Sequence, residues 1–143
     1  MATQRWWRCD HCRVDREAGP LLPALKAVAD SSVPSCPECS GPRRLRLKLD
    51  LAFRAGGTSC DVIASFYPRP PQSWQLNASE IVTYLPFLVV GDADNGERVV
   101  WLPYWHVVSR DGRELTRYGQ WAPYLDHRVF ADLVRQAQRA GIL

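Results

Sequence analysis

The sequence has no uninterrupted apolar run of the roughly 18 to 20 residues that a membrane-spanning helix needs. Its longest candidate, residues 81–90, is broken by Thr83 and Pro86. Residues 1–8 carry charge and two tryptophans where a signal peptide needs an apolar segment and a small-residue cleavage site. No segment repeats another, and no acid–base pair falls at a spacing diagnostic of catalysis. Five cysteines are an odd number, which disfavours a closed disulfide framework. These absences lead to the expectation of a cytoplasmic chain with no membrane association.

Enough apolar material is present for a packed interior: 46% of residues are hydrophobic, with six Trp and five Tyr. A length of 143 residues suits either one domain or a small metal-stapled unit joined to a compact core of about 90 to 100 residues. The second arrangement is the one expected here. The net charge of +3 is uneven, because residues 1–54 hold ten cations against six anions and the remainder eight against nine. Only Lys26 and Lys48 are lysines; all other cations are Arg, a side chain suited to planar, bidentate contacts with phosphate or carboxylate.

Two short pairs dominate the first third, Cys9-Asp10-His11-Cys12 and Cys36-Pro37-Glu38-Cys39. Cysteines three apart on a tight turn direct two sulfurs at one cation, and two such turns complete a tetrahedral cage. Cys9, Cys12, Cys36 and Cys39 are therefore expected to hold one metal ion. Four sulfurs leave no open coordination position, so a structural Zn2+ is expected rather than a Lewis acid, and His11 is expected at the knuckle surface. The segment resembles the zinc ribbon and rubredoxin-like group, in which two knuckles at hairpin tips share a metal. The resemblance spans roughly residues 5–42, and Cys-Pro-x-Cys is its most specific part. It implies a module that binds nucleic acid or protein, with zinc structural, or alternatively an iron electron carrier.

Arg5-Trp6-Trp7-Arg8 leads into the first knuckle, with Trp7 expected to cover the site and Trp6 to stay exposed, where it could stack on a base. Between the cysteine pairs, Leu21, Leu22, Leu25 and Val28 recur at near-helical spacing after the breakers Gly19 and Pro20, consistent with a short helix or an extended insert. From residue 43 the period becomes two. Leu45, Leu47, Leu49, Leu51 and Phe53 alternate with Arg44, Arg46, Lys48, Asp50 and Ala52, the signature of a half-buried strand. Its polar face places Arg44, Arg46 and Lys48 roughly 6.6 Å apart.

A second strand is expected over residues 60–67, starting at the unpaired Cys60, followed by a proline-rich loop from Pro68 to about Ser79. Residues 80–90 and 97–108 read as two long apolar strands joined at Asn95-Gly96. Within the latter, Trp101, Tyr104, Trp105 and His106 crowd together around Pro103, which marks a bulge or an edge. Asp111-Gly112 turns into a last strand over residues 113–118. Asp126 is an N-cap for a helix ending at Gly141, with Phe130, Leu133, Val134 and Ala137 on one stripe.

The expected fold is α+β: a zinc ribbon over residues 1–42, then over residues 43–143 an antiparallel meander of four to five strands with a C-terminal helix. The expected function is a non-catalytic interaction module, a small accessory subunit binding a protein partner. Its anchors are Trp101, Tyr104 and Trp105, together with loops near the knuckles. The alternative is nucleic-acid binding through Arg5, Trp6, Arg8, Arg13, Arg43, Arg44, Arg46 and Lys48. A third reading makes Cys60 and His106 a thiol enzyme, or puts iron in the cage.

Overall fold

The computed structural model describes residues 5–39, 45–51, 58–96, 98–119 and 127–143. Arg43, Arg44, the Gly41-Pro42 linker and the helix-entry residues Trp121, Pro123, Tyr124 and Asp126 lie outside the described residues. The chain divides into two compact units, Met1–Ser65 with Val90–Val100, and Phe66–Val89 with Trp101–Leu143.

The first unit opens with β1 (Arg5–Arg8), β2 (Asp15–Glu17) and helix α1 (Leu21–Ala29), then continues through β3 (Arg46–Leu51) and β4 (Thr58–Phe66). With β7 (Leu88–Ala93) and β8 (Arg98–Trp101) these strands form a six-stranded sheet in the order β2-β1-β3-β4-β7-β8. Leucine alternation explains β3: Leu45, Leu47 and Leu49 are buried while Arg46 is exposed, as one covered sheet face requires. Trp7 lies opposite both Arg16 of β2 and Leu47 of β3, and is itself buried. The segment after Gly19 and Pro20 is helical, and α1 buries Leu22, Ala24 and Leu25. Leu88, Val89, Val90 and Gly91 are buried in succession, the apolar run of an interior strand, before the half-buried Asp92.

The second unit holds β5 (Gln72–Asn77), β6 (Glu80–Pro86), β9 (Tyr104–Arg110), β10 (Arg113–Tyr118) and helix α2 (His127–Arg139). Its four strands run in the order β10-β9-β6-β5 and pair antiparallel. The turn at Asp111 and Gly112, with φ of 49° and 75°, has the left-handed backbone of a two-residue hairpin. At the end of α2 the Ile142 amide reaches the Ala137 carbonyl at 3.0 Å, and the helix stops. Leu133 and Ala137 are fully buried, but Phe130 is 44% exposed, so the covered stripe is narrower than the sequence pattern suggests.

Among the described residues eight strands, β3 to β10, follow residue 43 and are divided between two sheets, where the sequence pattern leads to a single meander of four to five. Two features account for the difference. The segment read as a proline-rich loop to Ser79 loses its prolines after Pro71, and residues Gln72–Asn77 form the edge strand β5, exposed along its length. The two long apolar strands each divide at a proline. Residues 80–93 split after Pro86 into β6 and β7, and residues 98–110 split at Pro103 into β8 and β9. The Phe87 amide donates to the Pro103 carbonyl at 2.8 Å, so the breaks lie opposite one another. A proline cannot donate to a ladder, and this is where the ribbon passes from one sheet to the other.

Candidate metal centre

The first cysteine pair follows β1 and precedes β2, at the tip of their antiparallel hairpin. There the Cys9 amide donates to the Val14 carbonyl at 3.1 Å and the Arg13 amide to the Cys9 carbonyl at 3.0 Å. Arg13 takes a left-handed φ of 61°, a conformation with a steric cost for any residue carrying a Cβ. The second pair is bracketed by a bond from the Leu45 amide to the Pro34 carbonyl at 3.0 Å, so residues 36–39 also sit on a loop closed at its base.

These two loops bring the Sγ atoms of Cys9, Cys12, Cys36 and Cys39 within 4.8 Å of one another. Contacts cross between the knuckles: Cys9 Sγ to Cys39 Sγ is 3.6 Å and Cys12 Sγ to Cys36 Sγ is 3.5 Å. A disulfide needs about 2.05 Å, and all five cysteines are free thiols. A metal–sulfur bond of about 2.3 Å in a tetrahedron puts neighbouring sulfurs about 3.8 Å apart. The arrangement therefore fits a single metal ion bound by four sulfurs.

The electrostatics prepare the same site. The backbone amides of Cys12 and His11 donate to the Cys9 sulfur and hold its thiol down at about 6, favouring the thiolate that a metal requires. Cys39 is pushed up to about 12 by burial and by the neighbouring sulfurs. The Val14 amide pulls Cys12 down, but burial and the adjacent thiols outweigh it, and its net shift is upward. Four crowded sulfurs cannot all ionise without a cation among them.

Of the five described cations singled out in the sequence, three are engaged by carboxylates. Arg8 makes a bidentate pair with Asp15 at 2.7 and 2.8 Å, which lowers the Asp15 carboxyl and raises the guanidinium. Arg46 meets Asp10 of the first knuckle at 2.6 Å. Lys48 lies between Asp61 at 3.4 Å and Asp94 at 3.8 Å. Arg5 donates to the Gly19 carbonyl. Trp6 is half-buried, and its indole N–H has no hydrogen-bond partner among the described residues. Arg13 is exposed.

Of the aromatic anchors, Trp101 and Tyr104 are half-buried, whereas Trp105 is 4% exposed and packs edge-on to Phe87 at 5.4 Å, in the interior of the second unit. His106 is ringed by Trp74, Tyr84 and Tyr104, with centroids 6.4, 5.3 and 5.7 Å away. Cys60 is 3% exposed, and its thiol donates to the Asp61 carbonyl at 3.7 Å.

Sequence reasoning missed Asp10, Asp15, Asp61 and Asp94 as neutralising partners, since strand register brings Asp15 and Asp61 to their cations, and Asp10 and Asp94 reach theirs from turns. It also missed Trp74, whose strand was read as loop; the signal was the absence of proline after residue 71. Among the described residues no helix is long and apolar enough to cross a membrane. Comparison of the chain with protein-family models, with curated proteins and with solved structures finds no match.

Proposed function

We propose that the chain is a non-catalytic zinc-ribbon module whose metal is structural and whose exposed knuckle tips bind a protein partner. The observation that carries this reading is the convergence of four sulfurs within 4.8 Å, a closed set that leaves no coordination position for substrate. The β1–β2 hairpin beneath the first knuckle, and the pairing of β1 with β3 beyond the second, support a ribbon rather than an isolated loop. Asp10, His11, Arg13, Pro37 and Glu38 are exposed at the two tips. They offer charged and polar groups on loops held by a rigid base, a usual setting for recognition.

A thiol enzyme built on Cys60 is disfavoured by its burial. Nucleic-acid binding through the N-terminal cations is disfavoured because Arg8, Arg46 and Lys48 would each have to leave a carboxylate to meet phosphate. Elemental analysis of purified protein tests the metal assignment. One zinc per chain, lost in Cys36→Ser, is the expected result, and iron with visible absorption would overturn it. The partner reading is tested by affinity capture with the native chain beside a His11→Ala, Glu38→Ala variant. Reduced capture by the variant is expected; equal capture would remove the knuckle tips from the interface.

A further inference from the structure

One face of the four-stranded sheet collects aromatic rings and unpaired arginines that the metal centre does not use. Cross-strand register puts Arg117, His106, Tyr84 and Gln72 in one row across β10, β9, β6 and β5. The next row holds Leu115, Val108, Val82 and Trp74, and the one beyond it Arg113, Arg110 and Glu80. Because side chains two apart share a face, Tyr104 stands on the same side as His106. The His106 ring stacks on Tyr84 at an interplanar angle of 30° and meets Trp74 and Tyr104 edge-on at 82°. Four rings from three strands therefore form one continuous aromatic surface, with Trp74 45% exposed and Leu115 53% exposed beside it.

Next to this surface is an open groove of about 610 Å³, floored by Val108 and Leu115 and flanked by Arg110, Arg113 and Arg117. Arg110 is held by Glu80, a buried carboxylate that also accepts from Asn77 at 2.6 Å. Arg113 and Arg117 are exposed and have no ion-pair partner among the described residues, although Asp111 and Glu114 stand at the groove rim. These two arginines are four residues apart on one strand face, about 13 Å along it.

We infer that this face binds single-stranded nucleic acid, bases stacking on the ring cluster around Trp74 and phosphates meeting Arg113 and Arg117. Stacking suits any base because every base has a π-face, and the arginines supply the charge that the backbone needs. A duplex hides its base faces and has nothing to offer the rings. An acidic peptide would use the arginines but leave the aromatic surface without a purpose. Gly119 fits the same picture: a Cβ there would lie 2.0 Å from Tyr104 Cε2 and Cζ, so the glycine leaves room for the ring to lie over the end of β10. The inference is independent of the metal reading, since all these residues belong to the second unit and none is a candidate ligand.

The test is fluorescence anisotropy of the full chain with labelled oligothymidylate, a mixed-sequence single-stranded RNA, a DNA duplex and a polyglutamate peptide. Binding to one or both single strands is expected, weakening with salt at a log–log slope of about −1.4 for two phosphate contacts. Relative strength on the DNA and RNA arms tells which single strand it prefers. Trp74→Leu weakens binding about fivefold to hundredfold, as loss of one stacked base implies, while Trp74→Phe retains most of it. Arg113→Gln with Arg117→Gln lowers affinity and flattens the salt slope. Ultraviolet crosslinking of a thiouridine oligomer to the unsubstituted protein, independent of any variant's folding, is expected at peptides containing Trp74, Tyr104 or His106. Equal affinity for duplex, preference for polyglutamate, crosslinks confined to the knuckles, or no binding of either single strand would each overturn the assignment.

Discussion

Gly91 is a residue whose lack of a side chain is a packing requirement. A Cβ placed there would sit 2.2 Å from Cys60 Sγ and 2.8 Å from the Asp61 carbonyl oxygen. Gly91→Ala is therefore expected to destabilise the fold by about 1–3 kcal/mol, the usual range for overpacking a core. Adding Cys60→Ala should recover part of the loss, because it removes the sulfur but leaves the carbonyl. Chemical denaturation of the wild type, the single variant and the double variant measures both steps. Asp15 gives a prediction with a pH sign. Its carboxyl is held below the usual range by the hydrogen bonds from Arg8, so the pair contributes stability above the ordinary carboxylate pKa and loses it as pH falls through the folded value. Because Asp15 is 44% exposed, that contribution is at most about 1 kcal/mol. NMR titration of the Asp15 carboxyl should show a midpoint below the ordinary value of about 3.9, returning toward it in Arg8→Gln.

At the scale of elements, the strands show which patterns carry through from sequence to structure. Leu45, Leu47 and Leu49 announce β3 because one sheet face is buried and a slip of one residue would invert every side chain. Cys9, Cys12, Cys36 and Cys39 are legible as a candidate metal site because metal ligation requires a particular ligand spacing. The pairing of β1 with β3 is not legible, since it joins segments about forty residues apart and neither carries a local mark of its partner. Nor can alternation tell that Trp105 is interior while neighbouring Tyr104 is half-exposed, because both faces of that stretch are aromatic. Prolines 86 and 103 were visible, but only their hydrogen-bonded opposition through Phe87 turns two strand breaks into one passage between sheets. Helix α2 offers a direct comparison. Leu133→Ala removes a fully buried side chain and should cost about 2–5 kcal/mol, whereas Phe130→Ala, on a ring 44% exposed, should cost much less. Thermal melts of the two variants would separate a covered stripe at Leu133 from one extended to Phe130.

Considered whole, the chain places its four candidate metal ligands unevenly, and that decides how removal of a bound metal should spread. All four thiols belong to the unit formed by Met1–Ser65 with Val90–Val100. Structural zinc in small modules supplies an apparent binding free energy of about 10–16 kcal/mol, comparable to the whole stability of an ordinary domain. The two knuckles are short loops, so their geometry is expected to depend on that contribution. The other unit buries Leu85, Phe87, Trp105, Leu133 and Ala137 and contains none of the four candidate ligands. Chelation is therefore expected to act selectively. The amides of Cys9 and Arg13, bonded to the Val14 and Cys9 carbonyls, should lose hydrogen-exchange protection. The Phe87 amide bonded to Pro103, and those of the β6–β9 ladder, should keep theirs. Exchange read by mass spectrometry with and without a strong chelator distinguishes the outcomes. Protection lost equally in both units would mean that the metal supports the entire fold, and protection unchanged at the knuckles would mean that the four sulfurs hold their positions without an ion.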